Sequence, residues 1–134
     1  MTQLDTYRPH ALALLRIVTA LLFIAHGTMK LFGFPAAMES GTVQLFSLMG
    51  LAAILELVGG ALILLGLFTR PVAFLLAGEM AVAYWMAHGP QGLYPILNGG
   101  ESAILFCFVF LYLVFAGPGA FSLDTRRAAF PSRA

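Results

Sequence analysis

Four mostly apolar stretches alternate along the chain with short segments rich in glycine, proline and charge. The first runs from about Ala11 to Phe32 and stops at Gly33-Phe34-Pro35. The second runs from about Leu48 to Phe68, and the third from Pro71 to about His88. The fourth covers about Gly100 to Ala116 and is broken by Gly117-Pro118-Gly119. Each approaches the ~20 residues a helix needs to cross ~30 Å of hydrocarbon. The pattern predicts an all-α protein: a four-transmembrane-helix bundle filling residues 1–134 as one integral membrane domain, with spans near 11–32, 48–68, 71–88 and 100–116.

The connections differ. Thr69-Arg70-Pro71 predicts a tight hairpin between spans two and three, with proline suited to a first helical turn. The first loop is longer, and its residues Thr42 to Met49 are expected to form a short interfacial helix. Pro90, Gly92, Pro95 and Asn98 make the segment from Gly89 to Gly99 irregular. Small residues lie inside the spans, at Gly59-Gly60 and at Ala73, Ala77 and Ala81 beside Gly78. In lipid such residues let helix backbones approach closely, so they read first as packing positions.

Composition strengthens the membrane reading. The chain is 60% hydrophobic and 10% charged, with a mean hydropathy of +0.92; soluble domains carry about 25% charged residues. A net charge of +1 without a basic run gives no footing for nucleic acid. The single cysteine, Cys107, excludes an internal disulfide or dithiol pair. The first apolar run is longer than a signal-peptide core, contains Arg16 and has only a weak cleavage site near Ala25-His26-Gly27, so it reads as a retained span.

Positive charge sets the expected orientation. Arg8, Arg70, Arg126, Arg127 and Arg133 fall on the side shared by the termini and the hairpin, which places both termini in the cytoplasm. Phe32, Phe34, Tyr84, Trp85 and Tyr94 then mark the outer interface of a multi-pass protein in a bacterial cytoplasmic (inner) membrane.

Within the spans lie Arg16, Lys30, Glu56, Glu79 and Glu101, with His26 and His88. An unpaired charge near the bilayer centre costs roughly 2.5–3.5 kcal/mol, so these residues must pair or line a polar cavity. Counting depth at ~1.5 Å per residue divides them into two groups. Arg16, Glu56 and Glu79 fall near mid-membrane and form an expected buried charge network. His26, Lys30, His88 and Glu101 gather towards the outer side as candidate ligand-binding residues, with Lys30 placed to pair with Glu101 or to snorkel outward. On span four, Glu101, Leu105, Phe108 and Tyr112 form a stripe expected to face the interior.

Several chemistries lack support. There is no H-x-x-x-H or E-x-x-H metal motif, and no glycine-rich nucleotide motif after a strand. His26 and His88 on different spans allow a bis-histidine haem, but nothing in their spacing demands one. A quinone fits better, because its head group needs polar donors at the carbonyls and its tail an apolar groove. The competing readings are a scaffold anchoring a partner protein, with no catalysis, and a small-solute or proton pathway through the two mid-membrane glutamates.

The order of motifs resembles the DoxX family of small four-helix membrane proteins. The resemblance rests on Arg16, on His26-Gly27 with Lys30, on Glu56-Leu57-Val58-Gly59-Gly60, and on Gly66-Leu67-Phe68-Thr69-Arg70. It continues through His88, Asn98-Gly99-Gly100-Glu101 and Gly117-Pro118-Gly119-Ala120-Phe121-Ser122-Leu123-Asp124, and covers about Leu14 to Asp124. It implies an inner-membrane protein linked to quinone-dependent redox chemistry. Some relatives are subunits of a thiosulfate:quinone oxidoreductase, and others act in catechol, quinone or oxidative stress. The expected partners are therefore the lipid bilayer, a redox partner protein that often carries the catalysis, and a second copy of the chain.

Overall fold

The computed structural model describes residues 3–129, so Arg133, counted above with the basic end, lies outside the described residues. After a 3-10 turn at Gln3–Tyr7, helix α1 (Arg8–Phe32) carries Pro9 in its first turn. It ends where Gly33 turns left-handed (φ 66°) and donates its N–H to the Met29 carbonyl. Helix α2 (Leu48–Leu65) starts at Ser47, whose Oγ accepts the Gly50 N–H at 3.0 Å. Helix α3 (Thr69–Gln91) follows the hairpin. A single turn, α4 (Pro95–Asn98), leads into α5 (Glu101–Ala116), and α6 (Leu123–Ala129) is the last described element.

Three of these helices, the last two being α2 and α3, are long and apolar enough to cross a membrane. The 16 residues of α5 reach only ~24 Å. Two expected boundaries move. The second span stops at Leu65 rather than Phe68, because Gly66 (φ 64°) and Phe68 (φ 50°) are both left-handed and cannot continue a helix. Residues Thr42 to Ser47 are not helical, in contrast to the interfacial helix expected there. The chain instead folds back on α1, with the Val43 N–H bonded to the Lys30 carbonyl, and Ser47 delays the helix start to Leu48.

Packing divides the bundle into two pairs. Helix α1 runs against the whole of α2, and α3 against α5. Between them, Phe23, Ile63, Leu76, Met80, Phe110 and Leu113 form the core. Phe23 meets Phe110 edge-on at a ring-centroid distance of 4.8 Å. Ala73 and Ala77 are buried as the small-residue pattern implies, but Ala81 is exposed. The expected interior stripe on the last span faces outward: Leu105, Phe108 and Tyr112 are all exposed, and Ala103, Phe110 and Leu113 face the core. Alternating apolar and aromatic residues all round this helix left its azimuth undetermined by pattern.

One end of the bundle is fastened by Arg16. Its guanidinium donates five hydrogen bonds of 2.6–3.2 Å to the carbonyls of Ile63, Leu64, Pro118, Ala120 and Phe121. The expected ion pairing of Arg16 with Glu56 and Glu79 is therefore corrected. Orphan carbonyls at the end of α2 and in the turn after α5 saturate the guanidinium instead. Nearby, the Asp124 carboxylate accepts the N–H groups of Phe68 and Thr69, both at 2.9 Å, capping α3 from 55 residues away. Arg70 donates to the Val114 and Phe115 carbonyls, and Arg127 sits 5.1 Å above the Phe68 ring. The start of α1, the hairpin and the chain after α5 thus share one end of the molecule.

Candidate functional site

Towards the opposite end, α1, α2, α3 and α5 line an open-sided cavity of about 580 Å³. His26, Lys30, Glu56, Glu79 and His88 all line it, so five of the seven ionisable residues singled out in the spans come together. Arg16 does not, being held in the clasp. Glu101 does not line it either: it opens α5 as an exposed residue in the first turn, where a carboxylate is favoured by the helix dipole.

The centre of the site is an ion pair between α1 and α2. Lys30 Nζ lies 2.5 Å from Glu56 Oε1, so the expected pairing of Lys30 with Glu101 gives way to Glu56. Glu56 is only 2% exposed. Two local features bring the pair together. A π turn at Leu55–Gly59 widens α2 around Glu56. At Gly27 a Cβ would come 2.9 Å from both the Ala53 carbonyl and the Leu57 amide, so only glycine lets α1 lie this close to that turn. Lys30, one turn further along α1, then reaches across.

Glu79 stands on α3 near enough to feel the charges of both Glu56 and Lys30. Among the described residues, neither of its carboxylate oxygens has a hydrogen-bond partner, and Glu56 Oε2 also lacks one. Three enclosed, unpartnered oxygens at one cavity wall are costly unless something supplies hydrogen-bond donors there. The His26 and Phe106 rings stand at right angles with their centroids 5.6 Å apart. His88 ends a second π turn, Tyr84–His88, and its Nδ1 lies 3.0 Å from the Asn98 carbonyl. A carbonyl only accepts, so Nδ1 carries the proton.

Around this polar group the walls are apolar, from Phe23, Leu55, Met80, Ala83 and Phe106. Gly99 and Ser102 also line the cavity, and sequence reasoning missed both; the signal was the Asn98-Gly99-Gly100-Glu101 motif, which contains Gly99 and immediately precedes Ser102. Asn98 is the organiser of that motif. Its amide donates to the Gly92 carbonyl and the Tyr84 hydroxyl, while its Oδ1 accepts the Gly100 N–H. Tyr84, expected in the interfacial belt, is instead part of this internal network. Among the described residues, no three His, Cys, Asp or Glu side chains are placed to share a metal ion.

Comparison with known proteins agrees with this architecture. The DoxX family pattern matches residues 11–89, which include α2 and most of α1 and α3. A protein of Haemophilus influenzae, described only as uncharacterized, is 49% identical over 130 residues, covering 94% of this chain and 97% of that one. Inner membrane protein YphA of Escherichia coli is 34% identical, covering 89% of this chain and 91% of its own. A Bacillus subtilis protein named "Putative oxidoreductase CatD" is 32% identical, covering 83% and 82%. No solved structure matches the chain. The apolar helices and these inner-membrane relatives place the protein in the bacterial inner membrane. The chain belongs to the DoxX family of membrane proteins.

Proposed function

We propose that this protein is a quinone-interacting subunit of a membrane oxidoreductase system, with its Arg-rich end cytoplasmic and the cavity in the outer half of the bilayer. The observation that carries this reading is the cavity of about 580 Å³, apolar on its walls and polar where Lys30, Glu56 and Glu79 meet. Ligand pockets of this size and make-up hold drug-sized molecules by burying most of their surface and orienting them with a few polar groups. The CatD relative, named for oxidoreductase activity, supports the same class of chemistry.

A bound quinone supplies the two-electron, two-proton acceptance. The residues hold and orient it. Lys30 Nζ keeps N–H groups beyond the one used on Glu56 and offers them to a head-group oxygen. Glu79, His26, His88 and Ser102 would provide further polar atoms around it, and Phe106 would add an apolar aromatic wall. Electrons come from a partner polypeptide docked at the membrane surface.

The test is equilibrium binding of decylubiquinone to the purified protein in lipid nanodiscs. Saturable binding that Lys30→Met and Glu79→Gln each weaken supports the reading. Absence of binding to the wild-type protein, with no thermal stabilisation by added quinone, overturns it.

The unpartnered oxygens of Glu56 and Glu79 favour one second reading, a proton pathway through the same residues. Proton flux into proteoliposomes, abolished by Glu79→Gln, would establish that reading, and absence of flux would remove it.

A further inference from the structure

The walls of the cavity are not continuous. Helices α2 and α3 are joined at the Gly66–Phe68 hairpin and pack on each other from Leu55 onward, but the first turns of α2 make no comparable contact with α3. The gap between them is edged by exposed apolar side chains that also line the cavity: Leu51 on α2, and Leu75, Val82 and Met86 on α3. In a membrane-embedded bundle, this edge faces lipid.

Gly78 lies in the middle of that edge. It is exposed, lines the cavity, and a Cβ built there would meet nothing within 4 Å. It therefore differs from Gly27, Gly59 and Gly60, where a side chain would collide with a neighbouring helix. No packing contact requires glycine at position 78, and glycine costs a helix about 0.5–1 kcal/mol relative to alanine. One step round the helix, Glu79 turns its carboxylate inward. The α3 surface thus passes from lipid to the polar centre of the site within two residues, with no side chain in the way.

We propose that the ligand reaches this cavity sideways from the lipid phase, through the seam between α2 and α3 beside Gly78, and leaves its apolar tail lying in that seam. This rests on the reading of the cavity as a quinone site and narrows it to lipid-dissolved ligands with an oxygen-bearing ring and an apolar chain. A water-borne molecule would have to cross a rim of leucine, valine and methionine to arrive by the same path.

The experiment measures decylubiquinone binding in nanodiscs, with affinity expressed against its mole fraction in the lipid. Gly78→Phe fills the seam and is expected to weaken binding about tenfold or more, with an unchanged melting temperature. Leu22→Phe, on an exposed part of α1 outside the cavity lining, should bind like wild type. Val82→Trp, one helical turn along the same edge, should reproduce the loss and answers the question if Gly78→Phe does not fold. Unchanged affinity in both seam variants would overturn lateral access and leave the quinone reading intact. Absence of binding in the wild-type protein would overturn that reading and this inference together.

Discussion

Lys30 and Glu56 meet at 2.5 Å across a close approach of α1 and α2, where Gly27 lies against the π turn. Both charges are largely enclosed, with side-chain exposures of 18% and 3%. Each compensates the other's loss of water.

Removing one partner should therefore be worse than removing both. Lys30→Met or Glu56→Gln alone leaves a buried group uncompensated and is expected to destabilise the protein by roughly 3–5 kcal/mol. The double variant should recover a substantial part of that loss. Reversible unfolding in mixed micelles measures all three; strictly additive losses would contradict the coupling.

Arg16 should not tolerate lysine. A guanidinium spreads five N–H groups over three nitrogens and reaches carbonyls on two separate segments, whereas an ammonium offers three donors from one point. Arg16→Lys is expected to cost on the order of 2–4 kcal/mol, since hydrogen bonds from charged donors contribute about 1.5–3 kcal/mol each. Unfolding of the variant in the same micelles checks this, and wild-type stability would refute the clasp.

Asp124 should make the clasp sensitive to acid. Partial burial acts to raise its carboxyl, but the hydrogen bonds from Thr69 and Phe68 and the charge of Arg127 outweigh this and hold it below the usual carboxylate range. A folded-state value below the unfolded one (~3.9) contributes stability that is fully present above that unfolded value. It is lost as pH falls through the lower folded value. The melting-temperature gap between wild type and Asp124→Asn should be constant near neutrality and shrink below about pH 4. A gap independent of pH would exclude the charged cap.

Two glycines should respond oppositely to alanine. Gly66 has φ 64°, and a Cβ there would strike Ser122 and the Arg16 guanidinium, so Gly66→Ala should cost more than the ~1–2 kcal/mol of left-handed backbone strain alone. Gly78 has open space and helical neighbours, so Gly78→Ala should be neutral or stabilise by up to about 1 kcal/mol. Melting temperatures of the two variants decide both.

The hydropathy pattern made the helices legible because length and apolarity are properties of contiguous residues. Gly33, Gly66 and Gly117 each mark a helix end where glycine supplies a backbone conformation that other residues resist. Depth was legible only in part: His26, Lys30 and His88 line one cavity, but Glu56 and Glu79, counted at the level of Arg16, line that cavity too, and Glu56 pairs with Lys30. Azimuth was not legible. The partners of Arg16 are main-chain carbonyls, which leave no trace in side-chain pattern. Glu101 matches Lys30 in depth but opens its helix outside the cavity. Asp124 stood only in a terminal motif, and its role depends on a hairpin more than 50 residues earlier that no local signal connects to it.

The fastening of one end has a mechanical meaning. With Arg16 and Asp124 fixing the hairpin, any tilt of α2 relative to α3 would have its fulcrum there. The 18 residues of α2 make an arm about 27 Å long. A tilt of about 5° at the fulcrum would then shift the far tip by about 2 Å, comparable to half the thickness of an aromatic ring with its van der Waals envelope. Any such tilt is smallest at the clasp and largest at the far end, beside the cavity.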